Sequence, residues 1–475
     1  MPMPSHKTKI VATIGPASDS PEMLEKLILA GMNVARLNFS HGDFTGHAGV
    51  IERIRAAEQA TGQQVAIMAD LPGPKMRLGT ISPGPITLRS GDHVTLTTDD
   101  IVGNAERISM SFEALPHVVK TGDRLSLNDG LVQIVVESVS GNDVLCRVTA
   151  GGELSSRKGL NLPGIDLGIS AFTDHDRACM AFALEHGVDA VSQSFVETAA
   201  DIASVREAAA ALGKHPFIIA KIERAGALEH FDEILEAADG IMIARGDLGV
   251  EVPLEEIAIT QKLLMAKAML AGKPVITATQ MLESMVSNRL PTRAEATDVA
   301  NAILDGTDCI MLSAESAMGK YPEEAVEMLS KIAAVTEPRR PRASLREIHE
   351  LCDSQPYVSA ARTMALIVEH ALETLPCAAI FVPTHTGTTA RMISRFKPLP
   401  WIAAFTHDRA VTRALAFSYG VFPVEVDTYP EDWRSFAKDW LRVHGVPGLV
   451  AMLVAGPSEH HPTHNHRLEF LALKN

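Results

Sequence analysis

The chain has 475 residues, of which 46% are hydrophobic and only 5% aromatic, and its formal net charge is −15. A chain of this length is expected to form about two to four domains with large buried cores. The acidic balance argues against a nucleic-acid or anionic-membrane partner, because either would favour a basic surface. It does not exclude small phosphate-bearing ligands, since a few cations can dominate a cleft.

The cysteines and the N-terminal residues bear on the cellular compartment. The five cysteines show neither CxxC spacing nor the density of a disulfide scaffold, which indicates reduced core thiols. The first residues lack the apolar region of a secretory signal, and no apolar run approaches the length of a membrane span. We therefore expect a cytoplasmic protein without a membrane partner.

Short apolar segments alternate with longer segments of helical periodicity, a pattern typical of βαβ units and a parallel sheet. The predicted strands begin near Lys9, Val34, Val65, Asp189, Phe217, Gly240, Pro274 and Cys309. This order predicts an α/β fold built on a (β/α)₈ TIM barrel, in which functional residues lie at the C-terminal ends of the strands. Thr292 and Glu295 have the spacing of a capping box at the start of one predicted helix.

The segment between the third and fourth predicted strands is far too long for one helix and its loops. It contains short β-like pieces separated by turns, so we predict that residues 73–159 form an inserted β-barrel lid domain over the active-site face. Such a domain can exclude water from a reaction. The catalytic barrel would then comprise residues 1–72 and 160–345, and a C-terminal α/β domain would comprise residues 346–475.

Two predicted barrel strands end abruptly in charged residues. Lys221 and Glu223 follow one apolar run, and Arg245, Gly246 and Asp247 follow the next. Because neighbouring strands end side by side, we expect these groups to converge. The carboxylates are hard oxygen ligands suited to Mg²⁺ or Mn²⁺, and the cations can neutralise a phosphoryl group. Gly246 would let backbone N–H groups approach an anionic carboxylate closely.

Polar residues also follow the other predicted strands and complete one candidate site. They are Arg36, Asn38 and Ser40 after the second strand, Asp70 after the third, Thr279 after the seventh, and Ser313 and Glu315 after the eighth. Any one of them could equally belong to a structural ion pair that closes the barrel. That alternative is much weaker for the whole set, because the set occupies the end of the barrel where active sites lie.

Five stretches resemble the pyruvate kinase family and follow one another in the family's order across the predicted barrel. They are residues 32–42 (MNVARLNFSHG), 219–223 (IAKIE), 239–251 (DGIMIARGDLGVE), 277–285 (TATQMLESM) and 291–295 (PTRAE). The domain order also agrees with this family, although the C-terminal domain resembles it more weakly. The resemblance implies phosphoryl transfer from phosphoenolpyruvate to ADP, giving pyruvate and ATP.

By motif position, the resemblance implies roles for the residues of the candidate site. Glu223 and Asp247 would hold the Mg²⁺ or Mn²⁺ ion, and Arg36 would bind the transferring phosphate. Lys221 would stabilise the charge that develops on the phosphoryl group and the enolate. Gly246, with Asp247, would position the pyruvate carboxylate.

The remaining implied roles concern proton transfer and the nucleotide. Thr279 would both contact the carboxylate and protonate the enolate carbon through a water relay with Ser313 and Glu315. The positions of the family's nucleotide contacts fall on Asn38, His41, Arg77 and Lys158.

The segment after the third strand departs from the commonest family motif, which reads Asp-Thr-Lys-Gly-Pro-Glu-Ile-Arg. Here Leu71 replaces the threonine and Lys75 replaces the glutamate. In the common form a K⁺ ion sits among the equivalents of Asn38, Ser40, Asp70 and the threonine. A fixed ammonium group can supply that charge, so the resemblance is to the family branch that needs no K⁺. The alternative is a solvated lysine at the hinge of the lid.

In the C-terminal domain, residues 384–389 (THTGTT) lie between a predicted strand and a predicted helix, a geometry suited to anion binding. Related enzymes bind a sugar-phosphate effector at this loop, but an ordinary helix cap explains the pattern equally well. The resemblance also implies a homotetramer.

Two other functions stay open from the sequence. One is a Mg²⁺-dependent pyruvate-enolate aldolase or lyase on a similar barrel, which would need neither Lys221 nor a lid that closes on a nucleotide. The other is a catalytically inactive protein that senses phosphoenolpyruvate. The intact set of Lys221, Glu223, Asp247 and Thr279 argues against the second.

Overall fold

The computed structural model describes residues 3–128, 130–165, 167–341, 360–456 and 466–474, and its centre is a closed barrel of eight parallel strands. Numbered in chain order, the barrel strands are β1 (Lys9–Thr13), β2 (Met32–Asn38), β3 (Ala66–Leu71), β12 (Ala190–Gln193), β13 (Phe217–Ile222), β14 (Gly240–Ala244), β15 (Val275–Ala278) and β16 (Cys309–Leu312). Each begins within two residues of its predicted position, because strands covered on both faces are nearly continuous apolar runs. The predicted TIM barrel is confirmed.

Helices surround the barrel and pack on the outward-facing side chains of its strands. They are α1 (Pro21–Ala30), α2 (Phe44–Thr61), α4 (Asp174–Glu185), α5 (Ala199–Ala211), α6 (Ala225–Glu229), α7 (Phe231–Ala237), α8 (Arg245–Glu251), α9 (Ile257–Ala271), α10 (Arg293–Asp305), α11 (Ala314–Ala317) and α12 (Pro322–Thr336). Short 3₁₀ helices cover Leu254–Glu256, Glu283–Val286 and Glu337–Arg339. The predicted capping box is present: the Glu295 N–H donates to Thr292 Oγ1 at 3.2 Å, and the Thr292 N–H donates to the Glu295 carboxylate at 2.7 Å.

A β unit lies between β3 and β12 in the chain, as predicted, and we call it the lid. It contains β4 (Ile86–Leu88), β5 (His93–Thr97), β6 (Arg107–Ser109), α3 (Leu115–Val118), β7 (Arg124–Leu127), β8 (Val132–Ser140), β9 (Asp143–Ala150), β10 (Gly152–Leu154) and β11 (Leu160–Asn161). Six strands form a sheet in the order β11-β7-β8-β9-β5-β6, and β4 pairs with β10. The lid has its own apolar core. Its limits at 73 and 159 stay a prediction, and β11 still belongs to its sheet.

The C-terminal α/β domain is also present. Its sheet has the order β19-β18-β17-β20-β21, with only β21 antiparallel. The elements are α13 (Ala360–Thr374), β17 (Ala379–Pro383), α14 (Thr388–Ser394), β18 (Trp401–Thr406), α15 (Arg409–Leu415), β19 (Val421–Glu425), α16 (Trp433–His444), β20 (Val450–Ala455) and β21 (Arg467–Ala472). The predicted start of this domain at 346 and the thiol of Cys352 lie outside the described residues.

The C-terminal domain packs against the N-terminal ends of the barrel strands. Phe417 enters the barrel core and stacks on Phe217, with ring centroids 5.3 Å apart. Lys397 forms a buried ion pair with Asp308 at 2.5 Å, just before β16. This end of the barrel is therefore closed, and the opposite end is left for the candidate site.

The cysteines and the helices bear on the expected compartment. Cys146, Cys179, Cys309 and Cys377 carry free thiols. Within the described ranges, none of the helices combines the length and the apolar character needed to cross a bilayer.

Candidate active site

Four charged side chains meet at the C-terminal ends of β2, β3 and β13. Arg36 donates from Nε to Oδ2 of Asp70 at 2.7 Å, and from Nη1 to Oγ1 of Thr13 at 2.8 Å. Nζ of Lys221 lies 3.3 Å from Oδ1 of Asp70 and 2.8 Å from Oε1 of Glu223. We call Arg36, Asp70, Lys221 and Glu223 the charge cluster.

Strand periodicity explains why two members of the charge cluster come from β13. Side chains two residues apart face the same side of a strand. Phe217 and Ile219 fill the barrel interior, and Lys221 and Glu223 continue this inward row above the apolar layers. The sequence therefore places both charges by the same rule that buries the apolar residues below them.

The charge cluster shifts the pKa values of its own members. Burial acts to raise the pKa of Asp70, but the charges of Arg36 and Lys221 outweigh it and lower the pKa to about 2. Burial acts to lower the pKa of Lys221, but Asp70 and Glu223 outweigh it and hold the pKa above the ordinary lysine value. At neutral pH Asp70 is therefore an anion and Lys221 a cation.

The end of β12 contributes side chains that our sequence prediction missed. Ser192 donates from Oγ to Asp70 at 2.9 Å, and Lys221 donates from Nζ to Oγ of Ser194 at 2.7 Å. The N–H of Phe195 donates to Oε2 of Glu223 at 2.9 Å. A signal was available, because Ser192 and Ser194 also follow a buried apolar run at a strand end.

The loop after β15 is joined to the start of α8. The Gly246 N–H donates to Oγ1 of Thr279 at 2.7 Å, and that hydroxyl donates to the Ala278 carbonyl at 2.6 Å. Thr279 and Gln280 both adopt positive φ angles, of 71° and 53°, which are uncommon for residues other than glycine. This backbone turns Thr279 toward α8, whose third residue is Asp247.

Arg245 does not join the charge cluster, which corrects the expectation that it converges with Lys221 and Glu223. Its Nη2 lies 2.7 Å from Asp298 on α10 and donates to the Thr279 carbonyl at 3.0 Å. The guanidinium thus supports the left-handed turn at Thr279. Sequence spacing alone could not reveal Asp298 as its partner.

Ser313 and Glu315 lie together after β16. The fully buried Glu315 carboxylate accepts the N–H of Ser313 at 2.7 Å and the N–H of Leu282 at 3.0 Å. Glu315 therefore ties the loop after β15 to the end of β16. The same region contains Glu283, whose pKa is raised by burial and then by Glu315 and Glu295.

The predicted monovalent-cation and nucleotide residues of β2 adjoin the charge cluster. Asn38 is the register partner of Asp70, and its Oδ1 accepts the N–H of Ser40 at 3.1 Å. The pKa of His41 is lowered by burial and then by the charges of Lys75, Arg77 and, more weakly, Arg36. The barrel and the lid hinge thus face one another across this edge.

The lid hinge adds cations to this edge. Part of the Lys75 side chain is exposed to solvent. Desolvation of its ammonium group, followed by the charges of Lys221 and Arg77, lowers its pKa to about 8. Asp70 and Glu223 act in the opposite direction, which makes the Lys75 ammonium an electrostatic neighbour of both carboxylates. Oγ of Ser111 accepts the backbone N–H of Arg77 at 2.9 Å.

Lys158 is positioned by the backbone of the lid base. Arg77 forms a bridge with Gly159, and the Leu78 N–H donates to the Lys158 carbonyl at 2.9 Å. In the part of the chain that the structure describes, the side chain of Lys158 makes no hydrogen bond or ion pair. The structure therefore does not join Lys158 to the charge cluster.

Two carboxylates of the site have the chemistry to hold a divalent metal ion. Glu223 follows β13 and Asp247 follows β14, and these strands are neighbours. Mg²⁺ commonly uses one or two carboxylates and completes its coordination with waters and substrate phosphates. No group of three or more His, Cys, Asp or Glu side chains within the described ranges is arranged to hold a metal. A pair of carboxylates is the donor set expected for an ion that takes its other ligands from water and substrate.

Comparisons with known families agree with this arrangement. The family description "Pyruvate kinase, barrel domain" matches residues 5–326, and "Pyruvate kinase, alpha/beta domain" matches residues 362–452. The two matches together cover the barrel, the lid and most of the C-terminal domain.

Individual pyruvate kinases are also similar to this chain over most of its length. The pyruvate kinase of Thermococcus litoralis is 51% identical over 428 residues, which are 90% of this chain and 90% of that protein. The pyruvate kinase of Geobacillus stearothermophilus is 44% identical over 422 residues, which are 88% of this chain and 71% of that protein. A crystal structure of a pyruvate kinase from Cryptosporidium parvum has a TM-score of 0.90 and 35% identity, and covers 99% of this chain and 97% of that chain.

Proposed function

The chain belongs to the pyruvate kinase family, and from that premise we propose that it transfers the phosphoryl group of phosphoenolpyruvate to ADP. The observation that carries the proposal is the charge cluster, in which two cations and two carboxylates meet at the open end of the barrel. In the reaction the bond from phosphorus to the enolate oxygen breaks, and a bond to the terminal ADP oxygen forms. The enolate then takes a proton at carbon and becomes pyruvate.

Arg36 and Lys221 are the proposed phosphoryl ligands. Before substrate binds, they are held in place by Asp70 and Glu223, so little reorganisation is required when an anion arrives. An arginine presents several N–H groups in a fixed plane and matches phosphate oxygens well. Lys221, as a point charge, stabilises the charge that builds up on the phosphoryl group and the enolate oxygen.

Glu223 and Asp247 would hold the Mg²⁺ ion, with Mn²⁺ as a chemical equivalent. When bound, this ion supplies positive charge to phosphate oxygens and orients them. Phe195 keeps one oxygen of Glu223 directed by its N–H bond.

Gly246, Asp247 and Thr279 are proposed to position the carboxylate of the substrate. The hydrogen bond between Gly246 and Thr279 holds these two elements together. Thr279 would pass a proton to the enolate carbon, replenished through water from Ser313 and Glu315. The backbone N–H groups of Leu282 and Ser313 hold the Glu315 carboxylate between the two loops.

Asn38, His41, Arg77 and Lys158 are the proposed ADP contacts. The combined positive charge of Arg77, Lys75 and Arg36 around His41 suits a polyphosphate. Lys158, whose side chain makes no hydrogen bond or ion pair in the described part of the chain, is available to a nucleotide held between lid and barrel.

We also propose that Lys75 replaces the monovalent cation near Asn38, Ser40 and Asp70. Its ammonium is an electrostatic neighbour of Asp70 and Glu223, whereas Leu71 offers no hydroxyl ligand for K⁺. A covalently fixed charge needs no ion from solution.

From the family we propose that the protein forms a homotetramer. We also propose that it acts in the cytoplasm, in glycolysis. The exposed apolar residues Leu254, Ile259 and Leu263 favour a subunit contact at one side of the barrel. Light scattering of the purified chain tests the tetramer. We further propose a sugar-phosphate effector site at 384–389, which is tested by adding such compounds to the assay. Gly387 lies there at the N-cap position of α14, and no side chain of the described residues caps this helix.

The direct test of the function is an assay with phosphoenolpyruvate, ADP and Mg²⁺ that measures pyruvate and ATP separately. Equal amounts of both products support phosphoryl transfer. An aldolase or lyase would release pyruvate from its own substrates without ADP, and a sensor would bind phosphoenolpyruvate without turnover. Either result would overturn the proposal.

A further inference from the structure

We propose that Arg224 is a positioning residue that fixes the return connection of the lid beside the strand end that carries Glu223. The return connection is the chain from β11 back to the barrel. This inference rests on the proposed function, because its consequence is read in the binding of ADP. Arg224 does not itself face the reacting atoms.

Arg224 contacts the return connection through two backbone carbonyls. Its side chain is almost completely buried, with 4% of the residue exposed. Its Nη2 donates to the carbonyl of Ile165 at 2.8 Å and to the carbonyl of Leu162 at 3.4 Å. Moving the connection would leave the buried guanidinium and these carbonyls without hydrogen-bond partners, which costs free energy. The contacts therefore favour one position of the connection.

Arg224 also lies close to elements that adjoin or contain the proposed metal ligands. Nη1 lies 2.9 Å from Glu197, in the loop after β12, and Nε lies 3.9 Å from Glu251. Glu251 is the last residue of α8, the helix that contains Asp247. Arg224 itself directly follows Glu223 in the chain.

Glu223 is linked to the outgoing connection of the lid through Phe195. Its Oε2 accepts the N–H of Phe195, and the Phe195 ring packs so closely on Gly73 that a Cβ there would lie 2.8 Å away. The N–H of Gly73 also donates to Asp176 on α4 at 2.9 Å. Arg224 therefore contacts the return connection directly, and Glu223 is linked to the outgoing connection only through Phe195.

The barrel and the lid therefore contribute to the binding of different substrates. The phosphoenolpyruvate site is built from barrel residues and does not require the lid. The proposed ADP contacts Arg77 and Lys158 stand on the lid, so their distance from the charge cluster depends on the two connections. Loss of Arg224 should weaken ADP binding far more than phosphoenolpyruvate binding.

Arg413 offers a matched control at the other end of the barrel. It is also 4% exposed, donates to a backbone carbonyl (Val65, 2.8 Å), forms an ion pair with Glu58, and lies 3.9 Å from a second carboxylate, that of Asp189. Arg413→Met therefore removes a buried arginine of similar surroundings without touching the lid.

The experiment compares Arg224→Met with Arg413→Met in the full chain. We expect Arg224→Met to raise KM for ADP about tenfold with a much smaller change in KM for phosphoenolpyruvate, because a displaced binding group loses its aligned contacts. Hydrogen exchange of residues 71–77 and 160–165 should accelerate in Arg224→Met alone. A purely structural role would lower stability in both variants and leave the ratio of the two KM values unchanged.

Arg224→Lys provides a second variant if Arg224→Met does not fold. It keeps the charge but has one nitrogen in place of three, so we expect an intermediate rise in KM for ADP. Unchanged KM for ADP and unchanged exchange in this variant would overturn the inference. If the wild-type chain transfers no phosphoryl group, the proposed function fails instead, and the exchange comparison still tests the lid contact.

Discussion

The two ends of the barrel carry buried ion pairs of similar chemistry but different surroundings. At the N-terminal end, Lys397 pairs with Asp308 beneath the C-terminal domain, and both side chains are nearly inaccessible. At the C-terminal end, Arg36 and Lys221 pair with Asp70 and Glu223, but here additional cations face the cluster from the lid hinge.

This difference separates a structural ion pair from a functional one. A covered pair between two domains has no room for a competing ligand, so its charges can only hold the domains together. A cluster that faces surplus positive charge from the lid hinge can bind an anionic substrate while its own carboxylate partners stay in place. Ion pairing alone therefore does not identify the active site, whereas an excess of nearby positive charge does.

The largest effect is expected from Lys221→Met, at the C-terminal end of the barrel. We expect phosphoryl transfer to fall by roughly 10⁴-fold, because charge stabilisation at the transferring group is lost. The circular dichroism spectrum should stay unchanged, since Met can follow the same inward path above Ile219. Near-normal turnover in a coupled ATP assay would contradict the assigned role.

The matching change at the closed end is Lys397→Met. We expect a loss of about 3–5 kcal/mol of unfolding free energy, because Asp308 is left as a buried charge without its cation. Turnover per folded molecule should stay close to the wild-type value. Denaturant titration and an assay below the transition together measure both effects, and a kinetic defect without a stability loss would reverse the comparison.

A smaller effect is expected from Lys75→Met. In buffer with tetramethylammonium as the sole monovalent cation, turnover should fall about tenfold, since a single nearby charge is worth of order 1.4 kcal/mol at partly exposed sites. The wild-type chain should respond little to added K⁺. Strong K⁺ activation of the wild-type chain would show that Lys75 does not take the place of the ion.

The smallest expected effect is on the pH dependence of kcat/KM for phosphoenolpyruvate. The pKa of Lys75 in the free protein is about 8, so its ammonium is present below that pH and is lost as the pH rises through it. Without K⁺, kcat/KM for phosphoenolpyruvate should therefore decline above about pH 8, because this ratio reports the free enzyme. Lys75→Met should lack this component of the profile, and an identical profile in both proteins would exclude Lys75 as its source.

Much of the site could be predicted because it follows strand periodicity. Lys221 and Glu223 lie two residues apart at the end of an apolar run, so the rule that buries Phe217 and Ile219 also directs them inward. Parallel strands then bring Asp70 and Arg36 to the same end. The wrong expectation for Arg245 has a related origin, because it follows a strand but turns to a partner on a helix.

The sequence by itself determined where the barrel strands begin, which charges follow them and where an extra β unit interrupts the barrel. These features depend on local patterns of apolar and polar residues. Only the tertiary structure decided that Ser192 and Ser194 form hydrogen bonds with the charge cluster. It also decided that Arg224 forms hydrogen bonds with the return connection of the lid and that Phe417 closes the opposite end of the barrel. Such contacts join segments that are distant in the chain, and their geometry depends on how side chains are directed once the barrel has closed.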